Sequence, residues 1–392
     1  MSVDVRQSPI EPADVNEQDV RWRMAGPLPA ACGRMEQTVR HELTGLAGGA
    51  PTLDQKVEFL GRPEAYSTVA HDVTRRETHM SWVFLAGDWV YKLKKPVRFP
   101  YLDFSTLSLR ETACRAELQL NRRLAPEVYL GVVPLVATAQ GLSIGGSGVT
   151  VDWLVVMRRL DEGETLEHRI QAGRIATWQL DRLAATLLQF YRRAIPVALE
   201  PVRYLSDWHR AMAYNRRVLL DPRLGCPAGL VRHVDAVLRK FLSRRSGLLE
   251  ARVRAQRIID GHGDLRPEHI FLGDPVKIID CLEFNARLRA VDPVDEIAFL
   301  SLECERLGAA WAGEHVRRRV LGGFHDDGGS EELFLFYRCQ RASLRTRLAI
   351  AHLLEPNPRT PEKWPRLAHT YLRIAAGDAA RLERLIKIRR GR

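Results

Sequence analysis

Two carboxylates close short apolar runs in the segment GHGDLRPEHIFLGDPVKIIDCLEF, Gly261–Phe284. Asp264 follows RIID and a Gly-His-Gly turn, and Asp280 ends IFLGDPVKIID. The order strand, polar loop, strand, turn, strand, carboxylate places both side chains at the mouths of neighbouring strands, 16 residues apart in the chain. Phosphoryl transfer needs such a pair. One carboxylate orients or deprotonates an acceptor hydroxyl, and the other holds the Mg²⁺ that neutralises charge on the phosphates. Mg²⁺ takes hard oxygen ligands and keeps several waters, so few protein ligands suffice. HGD alone is equally an ordinary strand-ending turn; the second Asp at this spacing makes it a candidate site.

The same chemistry asks for a lysine on a strand and a helix glutamate to pair with it. SWVFLAGDWVYKL (81–93) reads as two β-prone runs around Ala86, Gly87 and Asp88, a hairpin. Lys92 ends its second strand, with Lys94 and Lys95 as rivals. VYLGVVPLVAT and GVTVDWLVVMRRL predict two more strands joined by the turn-rich GLSIGGSG. Between the strand pairs, Ser108 and Glu111 suggest a capping box opening a helix that runs to about Leu124. Ala113, Glu117, Leu120 and Leu124 fall on its apolar stripe, so Glu117 faces the core and requires a partner there. The hairpin turn holds little glycine, which leaves the hydroxyls and amides of Thr78–Ser81 as candidates for covering the phosphates.

The pattern HGDL-x-P-x-x-I followed by ID-x-x-E resembles the catalytic and metal-binding loops of aminoglycoside phosphotransferases and related small-molecule kinases. Their pattern is H-G-D-x-x-x-x-N and then I-D. The stretch ETHMSWVFLAGDWVYKLKKPVRFPYLDFSTLSLR and the segments DPVDEIAFL and YRCQRASLRTRLA are similar to a bacterial subgroup of that family, some of whose members carry a further P-loop ATPase domain. No GxxxxGK[ST] sequence occurs here. The resemblance implies an α+β, protein-kinase-like two-lobed fold, with a small antiparallel β-sheet N-lobe carrying one helix and a larger, mainly helical C-lobe. It implies ATP and Mg²⁺ as cofactors, Asp264 as the base, Asp280 as the main Mg²⁺ ligand and His262 as an anchor of the loop. The family asparagine is replaced by His269, a softer ligand better suited to Zn²⁺ or Mn²⁺. Two other readings stay open: a degenerate kinase fold that binds nucleotide without transfer, and a metallohydrolase using His262, Asp264, His269 and Asp280.

The surrounding chain fits a two-domain enzyme. Its 392 residues with 45% hydrophobic content can bury substantial cores. Residues 1–50 read as a poorly ordered leader, 51–159 as the nucleotide-binding lobe and 160–392 as the helical catalytic and acceptor-binding lobe. Amphipathic helices are predicted over 175–193, 230–244, 292–308, 331–354 and 364–388, interrupted by the β-rich island at 258–279. No apolar run is long enough to span a bilayer and no secretory signal is evident, so a cytoplasmic location is expected. The six scattered cysteines agree with reduced thiols. The net charge of +11 comes from arginines spread along the chain, with a cluster at the tail, and nucleic acid is not the expected partner. The expected partner is a small-molecule hydroxyl acceptor. Arg338, Arg341 and Arg345 share one helix face, which is either salt-bridged, to Asp292, Asp295 and Glu296, or turned to the acceptor. In the second case a neutral or anionic acceptor is favoured over a polycationic aminoglycoside.

Overall fold

A computed structural model describes residues 50–67, 72–324, 329–355, 358 and 360–388. The predicted leader up to residue 49, Cys32 and the terminal Arg389, Arg390 and Arg392 lie outside them. The chain divides into two units: residues 1–115 with 132–156, and residues 116–131 with 157–392.

The first unit is built on a sheet of six strands in the order β1-β2-β3-β8-β6-β7. These are β1 (Val73–Glu77), β2 (Ser81–Ala86), β3 (Trp89–Lys94), β6 (Tyr129–Thr138), β7 (Gly141–Ile144) and β8 (Val149–Arg158), with a small ribbon of β4 (Arg98–Phe99) and β5 (Leu102–Asp103) beside them in sequence. The predicted hairpin forms: Ala86 pairs with Trp89, which leaves Gly87-Asp88 as a two-residue turn with Gly87 at φ +58°. A positive φ at that place is what a tight hairpin turn demands, and glycine adopts it without a Cβ clash. GLSI, expected as part of a turn, is instead β7, zipped antiparallel to Leu135–Thr138 of β6. Helix α1 (Leu53–Leu60) is opened by a capping box between Thr52 and Gln55. Its Val57 and Leu60 pack into a core with Phe84, Leu93, Leu135 and Leu154. Within that unit Asp152 is buried and paired: Lys56 Nζ lies 2.8 Å from Oδ2, and Arg110 Nε lies 2.7 Å from Oδ1.

Helix α2 (Leu107–Asn121) begins one step earlier than the predicted capping box. Thr106, the residue before it, accepts from the Leu109 amide through its hydroxyl, while Glu111 pairs with Arg115 at i+4. The box at Ser108–Glu111 is therefore not formed, because the earlier threonine already satisfies the helix amides. The stretch from Ala116 to Gly131 belongs to the second unit. The reason is visible at the helix end, where Asn121 and Arg123 are bonded to that unit's loops.

The second unit is mainly helical. Its helices are α3 (Leu166–Gln171), α4 (Thr177–Arg193), α5 (Pro201–Leu219), α6 (Ala228–Arg254), the one-turn α7 (Ala286–Arg289), α8 (Pro293–Arg306), α9 (Ala310–Leu321), α10 (Glu331–Ala351) and α11 (Lys363–Ile388). The helices expected from the sequence omit α3, α5, α7 and α9 and stop α6 ten residues short. α8 is buried on every side from Pro293 to Cys304 and packs against α9 and α10. A helix buried on every side lies at the centre of its unit, and its acidic residues must find partners there. Two small antiparallel pairs carry the site: β9 (Ile259–Asp260) with β12 (Ala290–Val291), and β10 (Ile270–Phe271) with β11 (Lys277–Ile278).

Candidate active site

The predicted Asp264 and Asp280 emerge from β9 and β11, as the strand order requires. The turn between β9 and Asp264 passes through Gly263 at φ +87°. A Cβ there would sit 3.1 Å from the Leu288 carbonyl oxygen and 3.0 Å from Leu282 Cδ1, so only glycine fits without displacement. Asp280 itself has φ +63°, a left-handed backbone that costs most side chains about 1–2 kcal/mol and that Asp tolerates better than most.

His262 ties the two loops together. It is fully buried, and its Nε2–H donates to the Ile279 carbonyl at 2.9 Å. Its Nδ1 accepts from the Asp264 amide at 3.3 Å. The Leu282 amide closes the link by donating to the His262 carbonyl. Burial, reinforced by the neighbouring His269, pushes the imidazole down to about 4, so the ring is neutral at physiological pH. Both ring nitrogens are engaged, which removes His262 from any metal-ligand set. That removes one of the four residues of the metallohydrolase reading.

His269 sits between the two carboxylates. Its Nδ1 is 3.0 Å from the Asp264 carbonyl oxygen and 3.8 Å from Asp264 Oδ2, and its Nε2 is 3.6 Å from Asp280 Oδ2. The Asp264 side chain keeps 24% of its surface exposed and that of Asp280 47%, so both remain open to ligands. An imidazole nitrogen beside a half-exposed carboxylate suits a divalent cation. Cys281 does not join them: its thiol is pushed up to about 12 by burial and stays protonated, in contact with Arg123 and the Gly261 carbonyl.

The loops are braced by side chains that the sequence reading passed over. Glu296 of α8 accepts from the His262 amide at 2.8 Å and the Gly263 amide at 2.5 Å. Asn121 Oδ1 accepts from the Cys281 amide at 2.8 Å, and the Tyr129 hydroxyl accepts from the Asp280 amide at 3.3 Å. Arg123 donates to the carbonyls of Asp260 and Gly261, both at 2.8 Å. Arg289 bridges Asp260 and the Leu282 carbonyl. The only hint of Asn121 and Arg123 is a polar run, NRR, at the end of an amphipathic helix. Their partners lie far away in sequence.

The candidates for holding nucleotide fall chiefly on the first unit. Lys92 and Lys94 share one face of β3, opposite Val83 and Ser81. Lys94 is the fully buried one, with Nζ 4.9 Å from the centre of the Phe104 ring, whereas Lys92 is half-buried. Lys95 is drawn elsewhere, to Glu77 at 2.5 Å and the Thr78 carbonyl at 2.6 Å. Thr78 and Ser81 close a turn on each other. The Thr78 amide donates to the Ser81 carbonyl, and the Ser81 amide donates to the Thr78 hydroxyl, both at 2.9 Å. Their amides are thus spent within the turn, which argues against a phosphate-covering role. Glu117 is buried, as the helix stripe requires.

The arginine face is salt-bridged. Arg341 forms a bidentate pair with Asp295 at 2.8 and 2.7 Å, Arg345 meets Glu303 at 3.2 Å, and Arg338 joins Glu305 and Asp378. Of the acids expected to pair with this face, only Asp295 does. Asp292 is taken by Arg252, and Glu296 by the amides of His262 and Gly263.

No protein-family profile matches the chain. It is 33% identical over 305 residues to an uncharacterized protein of Mycobacterium tuberculosis strain H37Rv and to its counterpart in Mycobacterium bovis. The match covers 74% of this chain and 58% of each relative, so the chain spans little more than half their length. Among solved structures it is similar to a choline/ethanolamine kinase family protein from Mesorhizobium loti, at 17% identity over 85% of this chain and 95% of that one, TM-score 0.46. It is similar to an ethanolamine kinase of Plasmodium vivax at 10% identity over 92% and 96%, TM-score 0.47. A thermostable mutant of an aminoglycoside phosphotransferase, in a ternary complex with AMP-PNP and hygromycin B, aligns at 12% identity over 83% and 100%, TM-score 0.44.

Proposed function

We propose that the chain is an ATP-dependent phosphotransferase that moves the γ-phosphoryl group to a hydroxyl of a small molecule. The observation that carries this reading is the His269 ring held between two partly open carboxylates, Asp264 and Asp280, on loops locked by His262 and Glu296. In this reading Asp264 receives the acceptor's proton as the acceptor oxygen bonds to phosphorus and the bond from phosphorus to the ADP oxygen breaks. Asp280 and His269 would hold a divalent ion, which supplies charge neutralisation on the phosphates. His262 keeps the Asp264 backbone in register, so the carboxylate is positioned before substrate arrives.

The buried Lys94 is a stronger phosphate-gripping candidate than Lys92, because packing over the Phe104 ring fixes where its ammonium sits, whereas Lys92 is only half-buried. Lys94→Met is expected to raise the KM for ATP about tenfold more than Lys92→Met. Equal effects would return the role to Lys92.

For the acceptor, a cavity of about 470 Å³ lies between α5, α10 and the segment around α7. Leu288 forms part of its wall, and the Leu288 carbonyl abuts Gly263 of the catalytic loop. Tyr204, Trp208 and Tyr214 give it an aromatic side, and three arginines face two aspartates in its lining. That balance supports a neutral or anionic acceptor. The reading is tested by screening hydroxyl compounds for ATP consumption, with Asp264→Asn as the blank. Acceptor-dependent ADP formation that the variant lacks is expected. Nucleotide binding with no turnover on any acceptor class, or equal turnover in the variant, overturns it.

A further inference from the structure

We propose that the ion position formed by His269 and Asp280 is a mixed nitrogen–oxygen site that selects Mn²⁺ over Mg²⁺. The inference rests on the phosphotransferase reading for its nucleotide and on the geometry alone for its protein ligands.

The argument starts from the tautomer. His269 Nδ1 is 3.0 Å from the Asp264 carbonyl oxygen, which can only accept, so the neutral ring carries its proton on Nδ1. Nε2 is left with a lone pair. Its neighbour is Asp280 Oδ2 at 3.6 Å, also an acceptor when ionised. Two acceptors facing each other cannot hydrogen-bond, yet the fold holds them together. With metal–ligand bonds of about 2.1 Å, adjacent ligands sit about 3.0 Å apart in an octahedron and about 3.4 Å apart in a tetrahedron. The observed separation needs only a small contraction to become such an edge.

The ring is held in place. His269 ends the 3₁₀ turn Pro267–His269, its amide donates to the Arg266 carbonyl, and its own carbonyl accepts from the Ile279 amide. That last bond joins His269 to the residue before Asp280, so the two ligands move as one unit. A nitrogen locked by a hydrogen bond on its other side is the usual construction of a metal-binding imidazole.

The ligand types then decide the ion. Mg²⁺ prefers oxygen throughout, and an imidazole in its shell is a poor exchange for a water or an amide oxygen. Mn²⁺ accepts the same octahedral oxygen donors, including phosphate, and tolerates an imidazole nitrogen better. No other nitrogen or sulfur donor of these two loops competes: both nitrogens of His262 are engaged, and the Cys281 thiol is bonded to its own surroundings.

The test uses the full chain, stripped of metal. Free Mn²⁺ is followed by electron paramagnetic resonance during titration, with Mg²⁺ as competitor, in the presence of AMP-PNP. The wild type is expected to bind Mn²⁺ at least about tenfold more tightly than Mg²⁺, and His269→Asn to lose about tenfold or more of that ratio while still binding Mg·AMP-PNP. Circular dichroism establishes that the variant is folded. An unchanged Mn²⁺-to-Mg²⁺ ratio in folded His269→Asn overturns the inference, as does a wild-type ratio near one. Either result leaves the phosphotransferase reading standing if Asp264-dependent turnover persists. A ratio that shifts as expected, with no turnover on either ion, upholds the metal site and removes the transfer reading.

Discussion

Along α8, Asp292, Asp295, Glu296 and Glu303 are all buried, and each meets assigned donors. Asp292 holds Arg252 through both oxygens and caps the helix at Val294. Asp295 holds Arg341, Glu296 the amides of His262 and Gly263, and Glu303 Arg306, Arg345 and Tyr371. On the loops beside them, the nearest charged partners of Asp264 stand at 3.8 Å, and Asp280 lies 3.6 Å from His269 Nε2 with 47% of its side chain exposed. The buried set has its ligands inside the protein. The loop pair keeps part of its surface exposed, where a ligand can reach it. Charge buried among ion pairs and backbone amides serves structure, and positioned charge that solvent can reach is where chemistry is to be looked for.

Substitutions should separate the two groups. The largest effect is expected at Asp264→Asn: turnover falls by about 10³-fold or more, while the melting temperature stays within about 2 °C of the wild type. A large loss of stability in that variant would move Asp264 into the structural group. Next comes Arg341→Met, which strands Asp295 in the core and should cost about 3–5 kcal/mol in chemical denaturation. Adding Asp295→Leu should recover most of the loss, since removing both charges removes the uncompensated one. If the double variant is no better than the single, the pair contributes more than mutual neutralisation.

A smaller effect, on the order of 3 kcal/mol, concerns His262 and pH. Its folded value of about 4 lies below the ordinary 6.5, so the unfolded chain takes up the proton first. Stability from this group is complete above about pH 6.5 and is lost as pH falls towards 4. Denaturation midpoints of wild type and His262→Gln, followed from pH 7 to 4, should therefore converge on acidification. Parallel curves would show that the ring is not held neutral.

Much of the candidate site in residues 261–284 is legible in the sequence, because its signals are local. Asp264, His269 and Asp280 lie within one run whose strand and turn residues fix where each side chain emerges. The inward turn of Glu117 follows from helical periodicity. Lys92 and Lys94 could not be separated, since residues two apart on a strand share a face and only tertiary packing buries one of them. The salt-bridged alternative for the arginine face could be named, yet two of the three partner choices were wrong. Arg338 reaches Asp378 across 40 residues of chain, and Arg252 claims Asp292 across another 40, contacts that no periodic pattern encodes. In the sequence β7 reads as a turn because its Gly141 and Ser143 carry turn propensity, which strand pairing along β6 overrides.

The left-handed backbone at Asp280 also decides which replacements can be interpreted. Asparagine keeps the side-chain length and tolerates that conformation, so Asp280→Asn reports on the lost ligand charge. Alanine adds about 1–2 kcal/mol of backbone cost, and a β-branched residue more, so part of any defect would come from a displaced loop. Glycine does the reverse: it removes the strain but frees the segment to sample conformers that the aspartate forbids. A mutational scan at position 280 thus reads two quantities at once, ligand chemistry and loop entropy, and the Asn and Gly variants are the pair that resolves them.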